Sequence, residues 1–159
     1  MMLFDLNFRN QVWLRVKYRT LGRTGLSVSL VSLGSGGPSQ LGQNTGVPEP
    51  EIHKLLYTAL DLGINLIDTA AGYGKSEEIL GRALKTIDRN RYYIATKTRP
   101  VKENRILSAS ELVHQVETSL QRLQLDTIDI FQFHGVKRNE YAVSYTHLRA
   151  HETRHDLVC

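Results

Sequence analysis

The chain has 159 residues, 41% hydrophobic and 23% charged, with a formal net charge of +4, a size and balance suited to one globular domain with a buried core. Its Lys and Arg residues are scattered, with no basic run or aromatic-interleaved stripe, which argues against a nucleic-acid partner; no stretch approaches the ~20 apolar residues of a membrane span. The single cysteine, Cys159, excludes an internal disulfide and points to a reducing, cytoplasmic setting.

Residues 1–17 carry no period or cap. Asp5, Asn7, Arg9 and Asn10 interrupt their apolar residues, so no signal-peptide core forms, and they read as an extension ahead of the domain. Tyr18 to Ser29 reads as a short hairpin: Thr20 and Leu21 lead into a Gly22–Gly25 turn, and Leu26 and Val28 alternate with Ser27 and Ser29. Leu30–Leu33 is the first expected buried strand. It runs into Gly34-Ser35-Gly36-Gly37-Pro38, a loop that lets a ligand approach the backbone closely. The loop fits neither the Walker A nor the G-x-G-x-x-G spacing.

A polar loop over 38–50 precedes a helix from about Pro50, with Ile52, Leu55, Leu56, Ala59 and Leu60 on one face and Gly63 terminating it. Ile64–Asp68 is a second strand, expected to be buried on both faces. Ser76 then suits an N-cap, with Glu77 and Glu78 in the positive first turn and Ile79, Leu80, Ala83 and Leu84 facing inward. Tyr92–Lys97 is strand three. Ser108 and Glu111 have capping-box spacing and open a helix with an apolar face of Leu112, Val113, Val116, Leu120 and Leu123; Ile128–His134 is strand four. Strand starts near 30, 64, 92 and 128, separated by helices, recur every ~28 to 36 residues, a repeated βα unit. The pattern fits a doubly wound sheet or a (β/α)8 barrel, and a barrel takes ~250 residues.

After Tyr141 the character changes. Residues 142–159 hold His147, His151 and His155, each four apart. On a helix they would share one face, but no Glu stands between them as in H-E-x-x-H, so no metal is expected there. This tail resembles peptides translated from sequencing-adapter DNA at the ends of gene models and is expected to be non-native or disordered.

Asp68, Lys97 and His134 each end or follow an apolar strand, and Tyr73 lies five residues past Asp68. Parallel strands end on one rim, where such folds keep their chemistry. Each residue has a plain structural alternative: Asp68 as a cap, Lys97 as the point where a strand meets water, Tyr73 as a packing aromatic, His134 as a core histidine. Together they make an acid for carbonyl reduction. A Tyr phenol has an unperturbed pKa of ~10. A nearby ammonium makes its proton easier to give up, and a carboxylate holds the ammonium in place. Asp68–Lys97 would be that pair, Tyr73 the proton donor, and His134 the group that orients the carbonyl. The hydride must come from elsewhere, which implies a nicotinamide.

At these residues the chain resembles the N-terminal half of an aldo-keto reductase, over about residues 18–141. The matching pieces are Tyr18 to Ser29, Leu33-Gly34, Asp68-Thr-Ala-Ala-Gly-Tyr73-Gly74, Ser76-Glu77 through Leu80-Gly81, Thr96-Lys97 and Gln132-Phe-His134. The resemblance implies an α/β fold made of the first four βα units of a (β/α)8 TIM barrel behind an N-terminal β-hairpin. It further implies NADPH-dependent (or NADH-dependent) reduction of a small carbonyl or sugar substrate, and a catalytic tetrad of Asp68, Tyr73, Lys97 and His134. Asp68 would also contact the ribose side of the nicotinamide, and the loop with Gly36 and Gly37 would lie against the nicotinamide end. The family's second half-barrel, with most of its cofactor grip, has no counterpart here, so the chain as written is expected to be an inactive fragment. Two other readings are a non-catalytic NADPH-binding regulatory subunit of the same fold, and a metal-dependent barrel hydrolase using Asp68 and His134; the second lacks an H-x-H pair at a strand end.

Overall fold

The computed structural model describes residues 16–103 and 105–137. The N-terminal extension apart from Val16 and Lys17, and the His-containing tail, lie outside the described residues.

Strands β1 (Tyr18–Thr20) and β2 (Ser27–Ser29) form the expected antiparallel hairpin, Arg19 opposite Val28. The hairpin is tied to the main sheet by Asn65. Its side chain accepts from the Ser29 amide at 2.7 Å and donates to the Ser27 carbonyl at 2.9 Å. That anchorage bends the chain before the next strand. The first strand of the main sheet, β3, is therefore Ser32–Gly34 rather than Leu30–Leu33; Leu30 and Val31 are 54% and 59% exposed in the bend.

The loop that follows is polar in composition but not loose. It holds a 3-10 turn at Gln43–Thr45 and seats Leu41, which is 7% exposed, in the main core. Helix α1 spans Glu49–Asp61, capped by Pro48 with Pro50 inside its first turn, where a missing N–H costs nothing. Ile52, Leu56, Ala59 and Leu60 are buried as expected, but Leu55 is half-exposed. Gly63 adopts φ 92 beyond the helix end, the left-handed region glycine favours.

Next come β4 (Leu66–Asp68), α2 (Ser76–Leu84) and β5 (Tyr93–Thr98). A short hairpin, β6 (Val101–Lys102) with β7 (Arg105–Ile106), was not legible in the sequence. Helix α3 (Ala109–Leu123) and β8 (Ile130–Phe133) complete the described elements. Strands β3, β4, β5 and β8 are hydrogen-bonded in that order, all parallel. The fold is α/β with a parallel sheet, and among the described residues the sheet is open, with β3 and β8 at its edges.

One face of the sheet is covered and the other is not. Ile67 and Ile94, both fully buried, pack against Leu56, Leu80, Leu84 and Leu123 of the three helices. Leu66, Tyr93 and Ile130 point the other way and are half-buried. Strand β4 is thus buried on one face only. The apolar face of α3 is narrower than its composition suggests: Ala109, Leu112, Ser119 and Leu123 are buried, whereas Val113 is 49% exposed.

The α3 cap forms as its spacing requires. Ser108 Oγ accepts from the Glu111 amide, and the Glu111 carboxylate accepts from the Ser108 amide at 2.8 Å. Arg105 adds two hydrogen bonds to the same carboxylate. The Arg105 guanidinium, helped by Ser108, holds the Glu111 carboxyl well below the usual carboxylate range. A carboxyl lowered on folding stabilises above its unfolded pKa of ~4.3, and that contribution fades as pH falls toward the folded value. Ser108→Ala is expected to destabilise the chain by ~1 kcal/mol at neutral pH, read as a lower urea midpoint; the difference should shrink in strong acid.

Candidate active site

The register of the sheet builds the site. Gly34, Asp68 and Ala95 stand side by side across β3, β4 and β5, and Lys97 is paired with Gln132 of β8. Residues two apart on a strand share a face. Asp68 and Lys97 therefore both project from the open face, at the carboxyl ends of neighbouring strands. Beyond β4 the chain continues alongside β5: Thr69 donates its amide to the Ala95 carbonyl at 2.8 Å and Ala71 to that of Lys97 at 3.0 Å. On the far side, His134 donates its amide to the Thr98 carbonyl at 2.8 Å. The rim is thus a backbone-tied edge from which all four expected residues arise.

Their side chains meet. Lys97 Nζ donates to Asp68 Oδ1 at 2.6 Å and to the Thr69 carbonyl at 2.9 Å. The pair is partly shielded, with Lys97 13% and Asp68 35% exposed. Lys97 Nζ also lies 5.2 Å from the centre of the Tyr73 ring. The His134 ring stands edge-on to Tyr73, 5.5 Å between centres at 88°. One phenol therefore has an ion-paired ammonium on one side and an imidazole on another.

Gly36 is explained by this cluster. A Cβ at that position would stand 2.6 Å from the Tyr73 ring, so only glycine lets the β3 loop close over the phenol. Gly37 takes a positive φ of 75 with nothing within 4 Å of where its Cβ would be, so its backbone remains approachable from the rim.

The Tyr73 loop is held by a residue that the sequence did not mark. Gln43 donates through Nε2 to the Gln40 carbonyl at 2.6 Å and to the Tyr73 carbonyl at 3.2 Å, while its Oε1 accepts from the Lys75 amide at 2.7 Å. Its only local signal was a polar residue in a polar loop. Ser76 was expected as the N-cap of α2, with Glu77 in its first turn. Instead Lys75 holds the cap position without a side-chain bond, and both residues are buried. Ser76 Oγ accepts from Thr69 Oγ1 at 3.1 Å, and Glu77 Oε1 accepts from Thr96 Oγ1 at 2.7 Å. Their partners lie just past the end of β4 and on β5, out of reach of any local motif. Among the described residues no group of three or more His, Cys, Asp or Glu is placed to hold a metal, and no helix is long and apolar enough to cross a membrane.

The Aldo/keto reductase family model matches residues 32–154. The chain is 39% identical over 128 residues to the L-galactose dehydrogenase of Arabidopsis thaliana, covering 77% of this chain and 39% of that protein. It is 38% identical to the aldo-keto reductase YhdN of Bacillus subtilis, covering 75% and 38%. A Schizosaccharomyces pombe protein provisionally named as a voltage-gated potassium channel subunit beta is 36% identical, covering 84% and 42%. The chain spans about two fifths of the length of these curated relatives. Among solved structures, a Pseudomonas aeruginosa protein provisionally named an aldo-keto reductase superposes with a TM-score of 0.69 at 36% identity, over 84% of this chain and 53% of that one. A silkworm aldo-keto reductase complexed with NADPH shares the fold alone, with a TM-score of 0.65 at 22% identity, over 85% and 43%. With the family model covering most of the sheet and its rim, and relatives above a third identical on the same stretch, the chain belongs to the aldo/keto reductase family.

Proposed function

We propose that this chain carries the proton-delivery half of an NADPH-dependent reductase of aldehydes and ketones, built on the first four βα units of a (β/α)8 barrel. The observation that carries the reading is the 2.6 Å Asp68–Lys97 pair set against the Tyr73 ring, with His134 edge-on beside it. In this reading Tyr73 gives its phenolic proton to the carbonyl oxygen. Lys97 stabilises the negative charge left on the phenol oxygen, and Asp68 fixes the ammonium where that charge develops. His134 orients the carbonyl by hydrogen bonding. Water then returns a proton to Tyr73.

The rim suits the nicotinamide end of a dinucleotide. The Gly37 backbone is open to approach, and the face that bears Asp68 and Lys97 is uncovered. Gly36, Gly37 and Asp68 are the residues proposed to hold it. NADPH, with NADH as the alternative, supplies the hydride when bound. The substrate class is a small carbonyl compound or sugar; the name of the Arabidopsis relative supports the sugar end of that range, and a cytoplasmic setting goes with this chemistry.

The alternative is a binding subunit that carries NADPH without turnover, a reading supported by the name of the S. pombe relative. Fluorescence titration with NADPH beside a turnover assay on an aldehyde, ketone and sugar panel separates the two. The reductase reading expects both binding and turnover in the full-length polypeptide that contains this segment; binding without turnover on any carbonyl would favour the subunit. The 159-residue chain alone is expected to show no appreciable turnover, since it spans about two fifths of its curated relatives.

A further inference from the structure

We infer that Glu77 is a positioning residue for the rim, setting the Asp68–Lys97 pair against Tyr73 through a clamp on the opposite, helix-covered face of the sheet. The inference rests on the reading of those residues as a proton-delivery unit.

Glu77 is 2% exposed and sits in the first turn of α2, four residues after Tyr73. A carboxylate so far from water is retained only where its partners compensate. Those partners are Thr96 Oγ1 at 2.7 Å and Arg122 Nη1 at 3.3 Å. Its neighbour Ser76, also fully buried, accepts from Thr69 at 3.1 Å. Each threonine adjoins a rim residue: Thr69 follows Asp68, and Thr96 precedes Lys97. Successive residues of an extended chain point to opposite faces. Pinning Thr69 and Thr96 to α2 on the covered side therefore fixes how Asp68 and Lys97 emerge on the open side. The same helix turn receives the Tyr73 loop, through the Ser76 amide and the Tyr73 carbonyl at 3.1 Å. One helical turn thus ties together the carriers of the acid, the ammonium and the phenol.

Arg122 closes the clamp from α3. It reaches Glu77 because α2 and α3 approach closely at Gly81, where a Cβ would stand 2.4 Å from the Arg122 carbonyl. Glu111, by contrast, holds a helix start at the surface together with Arg105. The buried Glu77 caps nothing, and its hydrogen bonds all run to other elements.

The test uses the chain as it is and does not need turnover. Lysine amines of the folded protein are acylated competitively with limiting acetic anhydride, and each site is read by mass spectrometry. Lys97, shielded and ion-paired, should react more slowly than the exposed Lys54 and Lys85. Glu77→Ala should raise the Lys97 rate several-fold and leave the other two unchanged. Glu77→Gln keeps an acceptor for Thr96 Oγ1 and should restore the wild-type pattern. Thr96→Val removes the hydroxyl with little change of shape and should reproduce Glu77→Ala; it carries the test where Glu77→Ala fails to fold. In protein that turns over a carbonyl, kcat should fall ~10-fold in Thr96→Val with KM unchanged, the signature of a misplaced reacting group. Unchanged Lys97 protection in Thr96→Val would overturn the clamp. Altered protection in the chain, alongside a full-length polypeptide with this segment that reduces no carbonyl, would leave the clamp standing and remove the reductase reading instead.

Discussion

In a full-length polypeptide that carries this segment, replacing Tyr73 by Phe is expected to lower NADPH-dependent carbonyl reduction by ~100- to 10,000-fold, the range a positioned general acid supplies. The substitution removes one oxygen and leaves the ring. The ring is held by its own contacts, against Gly36 on one side and His134 on another. Its loop is fixed through backbone groups by Ala70, Ser76 and Gln43. Among the described residues the phenolic oxygen makes no hydrogen bond, so the packing of the rim should not feel its loss. Dinucleotide affinity, measured by fluorescence titration, and the melting temperature should therefore stay at their wild-type values while turnover collapses. A fall in all three together would mean that the hydroxyl has a structural role.

Gly81→Ala is expected to destabilise the chain by ~1–3 kcal/mol, the usual range for overpacking a filled interior. Helix propensity argues the other way, since alanine in a helix interior gains up to ~1 kcal/mol over glycine. Geometry decides the sign. The added methyl would lie 2.4 Å from the Arg122 carbonyl oxygen and 2.8 Å from the Leu123 carbonyl carbon. These are backbone atoms at the end of α3, and they cannot rotate away as a side chain tip does. The helices must separate, and Leu84 and Leu123, both essentially buried, lose contact with them. Urea denaturation should show a lower midpoint at unchanged slope. A rise in the midpoint would show that propensity outweighs the contact.

The rim was legible in the sequence because it depends on short-range rules. Apolar runs ending in Asp68, Lys97 and His134 mark strand ends, and parallel strands share a rim; that Asp68 and Lys97 share a face follows only from the register of β4 and β5. The capping box at Ser108 and the core faces of α1 and α2 follow the same kind of local pattern. The misses have the opposite character. Leu55 and Val113 lie within apolar patterns and are nonetheless exposed, because a leucine or valine does not record how wide a stripe its helix buries. Leu41 lies in a polar loop and is buried, because the 3-10 turn after it folds it back onto α1 and the sheet. The first strand shifted because the hairpin is anchored by Asn65, 36 residues beyond Ser29. Glu77 carries the local signature of an acid at a helix start, and only Thr96 and Arg122, 19 and 45 residues away, reveal its other use.

The central claim is that Tyr73 and Lys97 act as one proton-delivery unit rather than as two independent contributors. The direct measurement is a double-mutant cycle of Tyr73→Phe and Lys97→Met on single-turnover hydride transfer, followed through loss of the reduced nicotinamide in the full-length protein. Residues that act as a unit are strongly non-additive. The double variant should therefore be little slower than the slower single variant. Losses that multiply, or a Tyr73→Phe variant that transfers hydride at the wild-type rate, would contradict the assignment.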